Sequence, residues 1–102
     1  MKKNYPLQVE GKNPERVLDA VKHDIRRYFK RERARAFPPE TNVWRFDCKL
    51  GLDESNAQET TEATLFTELS ALAAQGATSV HVEINSRADV RGKAPAEGAP
   101  QD

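Results

Sequence analysis

The sequence predicts a single α+β domain in which two helices cover one side of an antiparallel sheet, and three observations carry that expectation. Several short segments alternate apolar and polar residues with the period of two that a half-buried strand requires. Two longer segments repeat apolar residues at helical spacing. A chain of 102 residues, 37% of them hydrophobic, builds one modest core but not two.

The first strand is read from Tyr5, Leu7 and Val9, which alternate with Pro6, Gln8 and Glu10 until Gly11 breaks the pattern. A helix follows at once. Asn13 offers a side-chain oxygen as N-cap, Pro14 occupies the first helical position where its missing N–H costs nothing, and Glu15 complements the dipole. At about 100° per residue, Val17, Leu18, Val21, Ile25, Tyr28 and Phe29 share one apolar arc. On the same projection Glu32 falls inside that arc and Arg35 at its edge. The stripe therefore stops near Phe29, and the last two turns are expected to project past the core or lie over its rim. Phe37-Pro38-Pro39 ends the helix, because a proline disfavours the α conformation before it and donates no backbone hydrogen bond.

Trp44, Phe46, Cys48, Leu50 and Leu52 alternate with Arg45, Asp47, Lys49 and Gly51, the clearest strand pattern in the chain, with one core face and one charged face. After a turn over Gly51 to Asn56 two continuations compete. In one, residues 57–63 return as a weak hairpin strand and Thr64 caps a helix whose Leu65, Phe66, Leu69, Leu72 and Ala73 share a face. In the other, Asn56 and Glu59 form a capping box and the helix starts there. The hairpin is favoured, and Gly76 ends the helix either way as a left-handed cap. Val80, Val82 and Ile84 alternate with His81, Glu83 and Asn85 in the last strand. Residues 88–102, rich in Ala, Pro, Gly and charge, are expected to form a disordered tail beyond a domain spanning 1–87.

The order β-α-β-β-α-β is that of the ferredoxin-like split sandwich, in which the second and fourth strands would be the sheet's edges. Without the weak third strand a three-stranded βαβαβ layer would remain.

Charge is segregated along the chain. Residues 1–37 carry eleven Lys/Arg against five Asp/Glu, a net of +6, whereas residues 38–86 carry two against eight, a net of −6. Such a layout suits steering of an anionic partner or head-to-tail self-association. No apolar run approaches the roughly 18 residues of a membrane span, and no signal-peptide core follows the N-terminus. Cys48 is the only cysteine, which excludes an internal disulfide and suits a reducing cytoplasm. No cofactor is expected.

Lys22, Arg26, Arg27, Lys30, Arg31, Arg33 and Arg35 place seven cations on or near the first helix. They are the candidate binding residues, able to anchor nucleic acid or an acidic protein, with Arg supplying forked donors and Lys point charges. The plainer reading is a solvated helix face that complements the helix dipole. Stacking of bases on the open sheet face is disfavoured, since Tyr5, Trp44 and Phe46 point inward. A Cys48–His81 pair would need side chains from opposite faces, an Asp47–His81 dyad would bridge two edge strands, and Asp19–His23 on the helix lacks a third ligand. No catalytic or metal site is expected.

The segments YPLQVEGK (Tyr5–Lys12), RVLDAVKH (Arg16–His23), YFKRER (Tyr28–Arg33) and FDC (Phe46–Cys48) carry a family resemblance. Through them, from about Lys2 to Asn85, the chain resembles a family of small bacterial proteins classed as a domain of unknown function. The resemblance implies a bacterial, non-secreted protein and no particular activity. The sequence thus favours a non-enzymatic binding or adaptor module working through a basic helix. A self-assembling structural protein, and a small-molecule sensor or enzyme using the polar sheet face, are the alternatives.

Overall fold

In the computed structural model, which describes residues 1–91, the elements follow in the expected order: β1 (Lys2–Pro6), α1 (Pro14–Arg33), β2 (Val43–Gly51), β3 (Gln58–Thr60), α2 (Glu62–Ala74) and β4 (Ser79–Asp89). The strands form one sheet of order β1-β4-β2-β3, antiparallel throughout. Side chains from both helices join one core with those of one sheet face. Val21, Ile25 and Phe29 of α1 and Leu65 and Leu69 of α2 pack with Tyr5, Cys48, Leu50, Val80, Val82 and Ile84.

The strand order differs from the one that would put β2 and β4 at the edges. Here they are the central pair, in register from Val43 opposite Asp89 to Gly51 opposite His81. The reason is length and burial. β4 (11 residues) and β2 (9 residues) are the long strands, and Val80, Val82 and Ile84 are fully buried, which a strand achieves with neighbours on both sides. The edges fall to the five-residue β1 and the three-residue β3; short strands expose few unpaired backbone groups, and Pro6 suits an edge.

Local chemistry set most boundaries and shifted some. Asn13 caps α1 by accepting from the Glu15 N–H at 2.8 Å. The helix ends at Arg33 rather than running to Phe37, because the chain turns back over β2: the Trp44 Nε1–H donates to the Arg35 carbonyl at 3.2 Å and Phe37 stacks on the indole. The last turn lies over the core rim. Glu32 there accepts the Ser86 hydroxyl at 2.9 Å and the Arg35 guanidinium at 2.6 Å, so a polar pair replaces the apolar stripe where it stops.

β1 begins earlier than Tyr5 and ends at Pro6. The alternation from Lys2 to Pro6 matches Glu83, His81 and Ser79 opposite, and Leu7 keeps one ladder bond, to the Thr78 carbonyl at 2.8 Å. Strand β2 stops at Gly51, leaving Leu52 exposed rather than in the core. The hairpin strand exists, but Thr61, not Thr64 or Asn56, caps α2 by accepting from the Thr64 N–H at 3.1 Å. Gly76, at φ 90°, closes α2 in a Schellman motif: its N–H donates to Ala73 and the Ala77 N–H to Leu72.

β4 runs past the expected domain boundary at 87 to Asp89. Asn42 holds that end by donating to the Asp89 carbonyl at 2.9 Å and accepting from the Arg91 N–H at 2.7 Å. Pairing with Val43 and Trp44 orders residues too polar to order themselves. The rest of the expected tail, residues 92–102, lies outside the described residues.

Candidate anion-binding surface

The seven candidate cations do not converge. Arg33 pairs with Glu62 at the start of α2 and lies over the Phe29 and Phe46 rings. Arg26 covers Phe66 at 4.8 Å. Both lie on the flank of α1 that faces α2 and serve the packing of the two helices. Arg35, off the helix end, pairs with Glu32 at 2.6 Å and covers Trp44 at 4.9 Å. Lys22 is half-buried and Lys30 exposed, each turned by the helix period away from β1. Arg27 and Arg31 lie on the opposite flank, toward β1, with Arg31 over Tyr28 at 5.4 Å.

That flank and β1 enclose a groove. Met1, Lys3, Asp24, Arg27, Tyr28 and Arg31 line a hollow of 260 Å³ at one end. A wider hollow of 770 Å³ continues from Lys3, Tyr5 and Asp24 past Pro6, Val9, Val17 and Ala20 to Lys12 and Arg16. The floor is apolar in the middle and the rim is cationic at both ends. Among the lining residues Asp24 is the single carboxylate. It is engaged internally: the Tyr5 hydroxyl donates to it at 2.5 Å and Lys3 approaches at 3.4 Å. The Tyr5 hydrogen bond, followed by the Lys3 and Arg27 charges, holds the Asp24 carboxyl below its ordinary range. Burial and the same carboxylate push the Tyr5 phenol upward.

Sequence reasoning missed Lys3, Lys12 and Arg16. A signal existed for one: Arg16 occupies the first turn of α1, where the helix dipole disfavours a cation, and a locally unfavourable choice of this kind points to a role elsewhere.

The open sheet face is internally compensated. Lys2, Glu83, Lys49 and Glu59 form a row of alternating sign across all four strands. Arg45–Asp89 at 2.8 Å and Arg87–Asp47 at 2.9 Å cross diagonally between the central pair. His81 is on this face, yet it is 2% exposed rather than solvated. It sits between Asn4 at 2.7 Å and Glu83 at 2.8 Å, and the one-turn 3-10 helix Glu54–Asn56 crosses this face at Gly51, its partner in the register, with Glu54 bridged to Lys2 at 2.9 Å. The His81 hydrogen bond holds the Glu83 carboxyl below its ordinary range.

Asp47 and His81 share this face on adjacent strands, not opposite edges. The Lys49–Glu83 row separates them, and Asp47 is engaged by Arg87. Cys48 lies on the other face in the core, where burial pushes its thiol up to about 11. A thiol so placed is a poor nucleophile. Asp19 and His23 are exposed on α1. Among the described residues no group of three or more His, Cys, Asp or Glu side chains is disposed to hold a metal ion, and no helix is long and apolar enough to cross a membrane.

No curated protein and no solved structure matches the chain. A family described as "Family of unknown function (DUF6172)" matches residues 1–95. The match covers every described strand and helix, and the chain belongs to that family.

Proposed function

We propose that the protein is a non-enzymatic binding module that takes a polyanionic partner in the groove between β1 and α1. One observation carries the reading: five basic side chains, Lys3, Lys12, Arg16, Arg27 and Arg31, rim the groove against a single carboxylate already engaged by Tyr5 and Lys3. The basic helix acts through one flank rather than its whole circumference, because Arg26 and Arg33 lie on the flank that packs against α2 and Arg35 is paired with Glu32. An acidic polypeptide suits this geometry better than duplex nucleic acid. The cations line a narrow cleft, whereas a duplex requires phosphate contacts spread over a broad surface. The reading places the protein in a bacterial cytoplasm, where its lone buried thiol stays reduced.

Fluorescence anisotropy with labelled polyglutamate and with generic single-stranded RNA, titrated across salt, tests the proposal. Polyglutamate binding that weakens steadily with salt and is lost in Arg27→Glu/Arg31→Glu, but kept in Arg26→Glu, supports it. Indifference to both polymers at low salt sinks it, and a preference for RNA transfers the groove to nucleic acid.

A further inference from the structure

The groove has a second property besides its charge: one wall is a strand edge that is unpaired among the described residues. Ladder bonds run between Met1 and Ile84 in both directions, and the Leu7 N–H donates to Thr78. In an antiparallel pair such closely bonded positions recur at every second residue. Met1, Lys3, Tyr5 and Leu7 therefore turn their backbone groups toward β4. Lys2 and Asn4 turn theirs outward, each presenting an N–H and a C=O, and Pro6 presents a C=O only.

We infer that the outer edge of β1 accepts an extended acidic peptide as a fifth strand of the sheet, with alternate side chains lying in the groove against α1. The inference rests on the proposed anion-binding role and specifies how the partner is held.

Spacing and charge fix the kind of peptide. Alternate residues of a strand are about 6.8 Å apart, and residues four apart on a helix are about 6 Å apart along its axis. A strand on β1 can therefore answer the helix turn by turn. Arg27 and Arg31 await a carboxylate at one end and Lys12 and Arg16 at the other. Pro6, Val9, Val17 and Ala20 await an apolar side chain between them. A segment whose every second residue reads acidic, apolar, acidic meets all three demands. The opposite edge cannot compete for it. β3 is three residues long and carries Glu59, with Glu68 of α2 lining the same hollow, so it repels the same peptide. Strand addition of this type draws affinity from main-chain bonds and selectivity from the pockets that receive alternate side chains.

Backbone N-methylation of the ligand tests the inference without altering the protein. A labelled peptide repeating Glu-Ser-Leu-Ser, which puts Glu and Leu in turn on one face, is compared with two derivatives, one N-methylated at the Glu and Leu positions and one at the Ser positions. In a strand only one of these sets can face β1. The expected result is that one derivative loses about tenfold or more in affinity, the worth of two backbone hydrogen bonds, while the other binds nearly as well as the parent. Equal affinity for all three peptides overturns strand addition while leaving the electrostatic proposal standing. Failure of every acidic polymer to bind overturns both. Sedimentation that shows copies associating through β1 without peptide assigns the edge to a second copy and overturns the inference. The exposed substitution Arg27→Glu/Arg31→Glu is expected to weaken the parent and the tolerated derivative alike, and unchanged binding by that variant argues against the groove.

Discussion

Replacing Gly51 by alanine tests the turn that crosses the sheet opposite His81. An alanine Cβ at position 51 would stand 2.6 Å from the Asn56 carbonyl oxygen, 2.7 Å from the Ala57 Cα and 2.8 Å from the Ala57 nitrogen. Comfortable contact begins near 3.5 Å, so the 3-10 turn must retreat by about 1 Å, and every obstacle is backbone that no rotamer change can move. Overpacking of this kind costs about 2–3 kcal/mol. For a domain of this size that lowers Tm by about 10–20 °C. The turn would also lift off His81, leaving an imidazole now 2% exposed open to diethylpyrocarbonate. Thermal and urea unfolding followed by circular dichroism, with mass-spectrometric mapping of modified histidines, reads both effects. Gly76→Ala is the control: φ is 90° there with nothing within 4 Å of the new atom, so its cost of about 1 kcal/mol is conformational and local. A Gly51→Ala protein as stable as wild type to within about 0.5 kcal/mol, with His81 still protected, refutes the packing argument.

Ile25→Ala empties a fully buried site between α1 and the sheet and is expected to cost about 2–5 kcal/mol in urea unfolding, with full loss of folding as the extreme. Thr60→Val acts in the opposite direction. The Thr60 hydroxyl is buried without a hydrogen-bond partner among the described residues, so an isosteric methyl is expected to leave stability unchanged or raise it by about 1 kcal/mol; a loss of that size would show that the hydroxyl has a partner after all. Tyr5→Phe removes the donor at 2.5 Å from Asp24. The Asp24 carboxyl should then titrate closer to its ordinary value by NMR, with destabilisation of about 1 kcal/mol because the group is partly solvated. At alkaline pH the sign follows from Cys48, whose folded value near 11 lies above the ordinary 9.0. Its contribution to stability is whole below pH 9.0 and declines as pH rises toward 11. Iodoacetamide should label the native thiol slowly at neutral pH and far faster once urea unfolds the chain, and equal rates would contradict the burial.

The sequence determined the parts whose causes are local. Asn13-Pro14 started α1, Gly76 closed α2, and the alternation in β2 and β4 assigned each residue to a sheet face, because caps, turns and strand pleats depend only on neighbours in the chain. Tertiary structure decided what depends on distant partners. Strand order was one such thing: the length of β4, extended to Asp89 by its pairing with β2, put both strands in the centre of the sheet. Burial of His81 was another, since a polar residue on the outer face becomes enclosed only when the turn at Glu54–Asn56, distant in the chain, crosses Gly51. The binding surface divided in the same way. Charge counting found the basic helix, but which cations pair with Glu62 or cover Phe66, and which join Lys3, Lys12 and Arg16 along β1, was settled by the packing of α2 on one flank of α1 and of β1 on the other.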